Sequence, residues 1–199
     1  MMRALALAFL SILALPGLAL AHATGHTGDG LVSGLMHPIA GPDHLVAMVA
    51  VGLWGAQLGR PLVYALPLAF PMIMAVGGLI GVAGIAVPGV ELGIALSALV
   101  LGLVVALAFR APLWLALALV SAFALFHGVA HGYELPDAAS PVAYGVGFMV
   151  ATGLLHLAGI LIGLLNDWQR AGPWVVRGCG AVVSVMGLYF LAGAAGLTA

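Results

Sequence analysis

The chain has no lysine, so its Lys+Arg total of 5 is arginine alone, and only 6% of its 199 residues are charged. A soluble domain carries about 25% charged residues. This chain therefore lacks the polar surface needed to face water on all sides. It also lacks the basic footprint of a nucleic-acid partner. Its one cysteine, Cys179, excludes an intramolecular disulfide and a cysteine-based zinc site. Neither a nucleotide-binding loop of the G-x-x-x-x-G-K-[ST] kind nor a serine motif is present. What the sequence does contain is apolar: 64% hydrophobic residues, 29 glycines and a mean hydropathy of +1.26. Glycine at that level suits membrane helices that pack closely.

The N-terminus reads as a cleavable signal peptide over residues 1–21. Met1-Met2-Arg3 is its positive start, Ala4 to Leu18 its apolar run, and Ala19-Leu20-Ala21 its small-residue cleavage site. The other reading is an uncleaved membrane helix; both leave His22 and His26 outside the cytoplasm. These two histidines are either an external metal-catching tail or an ordinary terminus. Residues 22–199 read as one membrane domain with apolar runs at about 31–57, 62–84, 92–109, 112–133, 141–165 and 174–196. Each is near the ~20 residues a spanning helix needs. The expected fold is an all-α, polytopic membrane bundle of six transmembrane helices in the lipid bilayer.

Charge orients the bundle. With the mature N-terminus external, Arg60, Arg110, Arg170 and Arg177 all fall on the cytoplasmic side, as the positive-inside rule asks. Asp29, Glu91, Glu134 and Asp137 fall outside. Trp54, Trp114, Trp168 and Trp174 lie near the cytoplasmic ends, like an aromatic belt. This places the chain in a bacterial-type inner membrane with both mature termini periplasmic. The first and fourth helices carry the polar motifs. That odd spacing is the pattern of a 3+3 inverted repeat, as found in secondary transporters.

Ionisable residues inside a membrane are costly and functional by default. The first run contains His37-Pro38-Ile39-Ala40-Gly41-Pro42-Asp43-His44, and the fourth contains Phe126-His127-Gly128-Val129-Ala130-His131-Gly132-Tyr133-Glu134. His127, His131 and Glu134 share one helical stripe. The prolines remove backbone donors and open carbonyls, which a membrane tolerates only where the chain is buried or lines a cavity. Counting ~1.5 Å per residue along straight helices puts His37 about 9 Å and His44 about 20 Å below the outer surface. His127 and His131 come out at about 10 Å and about 4 Å. The two motifs thus overlap in the outer half of the membrane.

Imidazoles and carboxylates without thiolates suit nickel, cobalt or zinc better than copper(I), and do not make the all-oxygen shell of calcium or magnesium. The candidate metal ligands are His37, Asp43, His44, His127, His131 and Glu134. Asp43 could instead orient an imidazole, and Glu134 could draw cations to the mouth. His156, on the fifth helix, is a ligand on an inward path, a proton acceptor, or a histidine that merely bonds a neighbouring helix. No resident prosthetic group is expected, and the metal is cargo. Two other classes use the same residues: an intramembrane zinc-dependent hydrolase, with three histidines and an acid activating water, and a bis-histidine haem protein.

At His37-Pro38-x-x-Gly41-x-Asp43-His44 and Phe126-His127-Gly128-x-Ala130-His131-Gly132-x-Glu134 the sequence resembles the HupE/UreJ family of nickel or cobalt permeases. The resemblance extends over the mature chain to His156-Leu157. It implies a permease that imports Ni²⁺ or Co²⁺, with Zn²⁺ less favoured, similar to accessory proteins that supply nickel to hydrogenase or urease. It also implies that His37, Asp43, His44, His127, His131 and Glu134 recognise the metal.

Overall fold

The computed structural model describes residues 30–135, 140–167 and 170–197. The expected signal peptide, its cleavage site, His22, His26, Asp29, Asp137 and Trp168 lie outside the described residues. Those residues form helices and connecting turns without a strand. In chain order the helices are α1 (Gly30–Ala40), α2 (Pro42–Leu58), α3 (Leu62–Val82), α4 (Val90–Ala106), α5 (Leu113–Tyr133), α6 (Pro141–Gly163) and α7 (Gly172–Ala194). A 3₁₀ turn at Leu164–Asp167 extends α6. With that turn included, α3, α5, α6 and α7 are each long and apolar enough to cross a membrane; α4 is a shorter apolar helix.

The first run departs from expectation. Instead of one straight helix over 31–57, α1 and α2 meet at Gly41 with a bend of 80°. The cause is local. Pro42 has no N–H to give the Pro38 carbonyl, and the residue before a proline is steered away from helical geometry. Gly41 accordingly sits at φ −86 and ψ 104, an extended conformation. The helix restarts at once, with the Leu45 N–H donating to the Gly41 carbonyl at 2.9 Å. A depth count along one straight axis therefore does not hold for His37 and His44. The bend turns both toward α5 instead.

Close helix approach organises the rest. α3 packs along α5, α4 along α7, and both α1 and α2 along α6. A glycine marks each meeting point. A Cβ on Gly128 would strike the Met74 carbonyl oxygen, and one on Gly132 that of Gly78. Gly52 likewise faces the His156 carbonyl, Gly34 that of Tyr144, and Gly102 the Ser184 backbone nitrogen. In lipid, such van der Waals packing replaces the hydrophobic drive for association. The outward stripe of α3 is Tyr64, Leu68, Met72, Val76 and Leu79, all exposed in the isolated chain. Leu62, Leu66, Phe70 and Met74 turn inward. An apolar outer face of this length is a lipid-facing surface.

Polar contacts tie one end of the bundle. The Trp54 indole N–H donates to the Phe109 carbonyl at 3.0 Å, and the Gln57 amide to Val105 at 3.1 Å. Arg177 Nε donates to the Ala106 carbonyl at 2.8 Å. The connections that carry Arg60 and Arg110 therefore share an end with Arg177. The histidine motifs occupy the opposite end, where α2 starts and α5 finishes.

Candidate metal centre

The first turn of α2 carries Asp43 and His44. Asp43 Oδ1 accepts the His44 backbone N–H at 2.9 Å and its Nδ1–H at 2.8 Å. A proton held on Nδ1 leaves the lone pair on Nε2. That Nε2 is buried and has no hydrogen-bond partner. One turn of α5 supplies His127 and His131, whose ring centroids lie 4.8 and 4.4 Å from that of His44. A nitrogen from each of His44, His127 and His131 falls within 4.8 Å of the others. All three side chains are buried, His127 completely.

The convergence leaves several nitrogens available to a ligand. His44 Nε2, His127 Nδ1 and both nitrogens of His131 are buried without partners. An orphaned buried polar atom costs about 1–3 kcal/mol. Three imidazole nitrogens within 4.8 Å of one another are ligands of the type that suits a borderline divalent metal.

A second group overlaps the first. His37, His131 and Glu134 also bring one ligand atom each within 4.8 Å of one another. His37 Nε2–H donates to Glu134 Oε2 at 3.0 Å, and His131 Nδ1 lies 3.6 Å from the same oxygen. This group is open, with side-chain exposures of 31% for His37 and 49% for Glu134. The His131 and His37 imidazoles beside it hold the Glu134 carboxyl, just past the end of α5, well below the usual carboxylate range. The charged carboxylate is therefore the favoured form at this open group. His131 belongs to both groups, and an apolar cleft lined by Met74, Gly132, Tyr144 and Phe148 reaches it.

The expected ligands thus separate. His37, His44, His127, His131 and Glu134 come together. Asp43 stands behind His44, in the orienting position. His156 joins neither group; the Phe70 ring centroid lies 5.6 Å from that of His127 and 5.4 Å from that of His156. Both His156 nitrogens are buried without partners.

Several residues at the site escaped the sequence reading. Phe148 stacks at 4.1 Å from the His131 ring, and Tyr144 lies 5.9 Å from that of His37. Ser97 Oγ is 2.8 Å from His127 Nε2. Only Ser97 left a signal: it is the sole hydroxyl in α4.

The family described as HupE / UreJ protein matches residues 10–190. The chain belongs to the HupE/UreJ family. Protein HupE of Rhizobium leguminosarum bv. viciae is 45% identical over 184 residues, covering 92% of this chain and 95% of that protein. No solved structure matches the chain. Both histidine groups, Phe70 and His156 all lie within the HupE/UreJ match.

Proposed function

We propose that this HupE/UreJ protein is a secondary permease that imports a divalent transition metal, Ni²⁺ or Co²⁺, through the histidine cluster for the maturation of a metalloenzyme. The observation that carries the reading is the buried convergence of His44, His127 and His131 with their unpartnered nitrogens. Glu134 and His37 first capture the hydrated ion at the open group. His131 keeps hold of it while His44 and His127 replace the outer ligands. His156 is the next station, past Phe70. Exchange around one retained ligand avoids ever stripping the ion of its whole shell.

The same reading takes the bent α1–α2 pair as one span and α4 as another, giving six. It takes the arginine-bearing end as cytoplasmic and the mature termini as periplasmic, after removal of the signal peptide. Helix pairing supports the 3+3 inverted repeat. Exchanging the half α1–α4 with the half α5–α7 maps the α3–α5 pair onto that of α6 with α1–α2, and α4–α7 onto itself. A zinc-dependent hydrolase would activate water at the same cluster, and chelator-sensitive turnover of a lipid or peptide by the purified protein would distinguish it from transport.

Radiolabelled nickel and cobalt uptake by intact cells tests the proposal. Cells with His44→Ala or His127→Ala should lose at least 10-fold of the uptake rate at trace metal while membrane levels of the protein stay unchanged. Accumulation equal to wild type would refute the import pathway.

A further inference from the structure

We infer that Ser97 is a positioning residue for the metal site: it sets the tautomer of His127, so that Nδ1 and not Nε2 presents its lone pair to the cargo ion. The inference rests on the metal-site reading above and adds a residue outside both histidine motifs.

The argument is a count of protons. Ser97 Oγ lies 2.6 Å from the Ile94 carbonyl oxygen and 2.8 Å from His127 Nε2. A hydroxyl has one hydrogen, while a carbonyl can only accept. Two oxygens at 2.6 Å with no hydrogen between them would repel, so the Ser97 proton lies toward Ile94. Ser97 Oγ is then an acceptor, and Nε2 of His127 must carry the proton it donates. A neutral imidazole has one N–H, which leaves the lone pair on Nδ1. That Nδ1 is buried and has no hydrogen-bond partner, so its lone pair is free for an ion.

Asp43 does the corresponding task for His44 with the opposite nitrogen, holding Nδ1–H at 2.8 Å so that Nε2 is free. The two ligands are thus set by different chemistry: a carboxylate at the start of α2, and a back-bonded serine in the middle of α4. Ser97 is completely buried, so water does not compete for His127. The helix that carries it packs mainly on α7, and through this contact α4 also fixes the geometry of the site. Partners that hold the far nitrogen of a metal-binding histidine contribute roughly 10–100-fold in affinity.

The test uses purified full-length protein in lipid nanodiscs. Nickel binding is titrated for wild type, Ser97→Ala and Ser97→Thr, and nitrogen-15 spectra of the labelled histidines are read without metal. Wild type should show His127 protonated at Nε2. Ser97→Ala should bind nickel about 10-fold or more weakly and show a mixture of His127 tautomers. Ser97→Thr, which keeps the hydroxyl, should recover most of the affinity. A His127 proton on Nδ1 in wild type, or nickel affinity in Ser97→Ala equal to wild type, would overturn the inference. Absence of nickel binding in wild type would instead count against the permease, and the tautomer spectrum would still decide the role of Ser97. Retained helicity and a monodisperse profile separate an altered site from a misfolded protein.

Discussion

Asp43 and Glu134 are both carboxylates beside histidines, yet their surroundings assign them different tasks. Asp43 Oδ1 is occupied by two N–H groups of His44, the contact of a carboxylate that orients an imidazole. Asp43→Ala frees the His44 ring to turn and should weaken equilibrium metal binding by about 10–100-fold, read by titration of the purified protein. Affinity equal to wild type would remove Asp43 from the orienting role. Glu134 acts at the mouth by its charge. Glu134→Gln should slow uptake at trace metal, and the defect should shrink in high salt, which screens exposed charges. Because its carboxyl is held below the usual range, Glu134 stays ionised through mild acidification. A fall in uptake between neutral and mildly acidic pH then reflects proton competition for imidazoles, and should occur over the same pH interval in Glu134→Gln as in wild type. A carboxylate paired with histidines reads the same in both sequence motifs, which is why Asp43 and Glu134 first stood together as candidate ligands. Their separation depends on which atoms face them across the bundle.

The helices α3, α5, α6 and α7 lie close to the apolar runs that announce them, since length and hydropathy are local properties of the chain. The bend between α1 and α2 was only half legible. Pro38, Gly41 and Pro42 mark a break, but its 80° angle follows from where α1 docks. Gly34 lies against the Tyr144 carbonyl and Gly147 against that of Leu31, contacts made with a helix a hundred residues later. Ser97 was legible only as the lone hydroxyl of α4: a helical serine can bond back to its own turn anywhere, and only α4–α5 packing shows that it also meets His127. Those glycine contacts make a prediction at this scale. Gly128→Ala places a methyl against the Met74 carbonyl, so α3 and α5 must separate and His127 and His131 move with them. Overpacking of this kind costs about 1–3 kcal/mol. Thermal unfolding in detergent should show the loss, together with weakened metal binding. Gly153→Ala and Gly178→Ala, where a Cβ meets open space, should leave both properties at wild-type values. Equal stability for all three variants would contradict the close α3–α5 approach.

At the scale of the whole molecule the site and the arginines occupy opposite ends. Trp54, Gln57 and Arg177 bond to carbonyls around the end of α4, while Tyr133 fastens the other end by donating to the Ile85 carbonyl at 2.6 Å. The common level of the two motifs was legible from the sequence, because both His37–His44 and His127–Glu134 lie near ends that the arginine bias places outside. The straight-axis depths were not, because the chain turns at Gly41. For the proposed permease, the direction of transport depends on one topological fact. If arginine sets orientation, the connection after α2 is cytoplasmic and the one between α3 and α4 is external, so the open His37–Glu134 mouth faces incoming metal. Replacing Cys179 by alanine and introducing Gly59→Cys or Gly84→Cys, singly, gives two reporters for a membrane-impermeant thiol reagent. Gly84→Cys should be labelled in intact cells, and Gly59→Cys only after the membrane is opened. A Cβ at either glycine meets open space, so neither substitution disturbs a packing interface, and the positive φ at both confines the strain to the turn that is tested. The reverse labelling pattern would turn the mouth toward the cytoplasm, and the same cluster would then load metal from inside and release it outward.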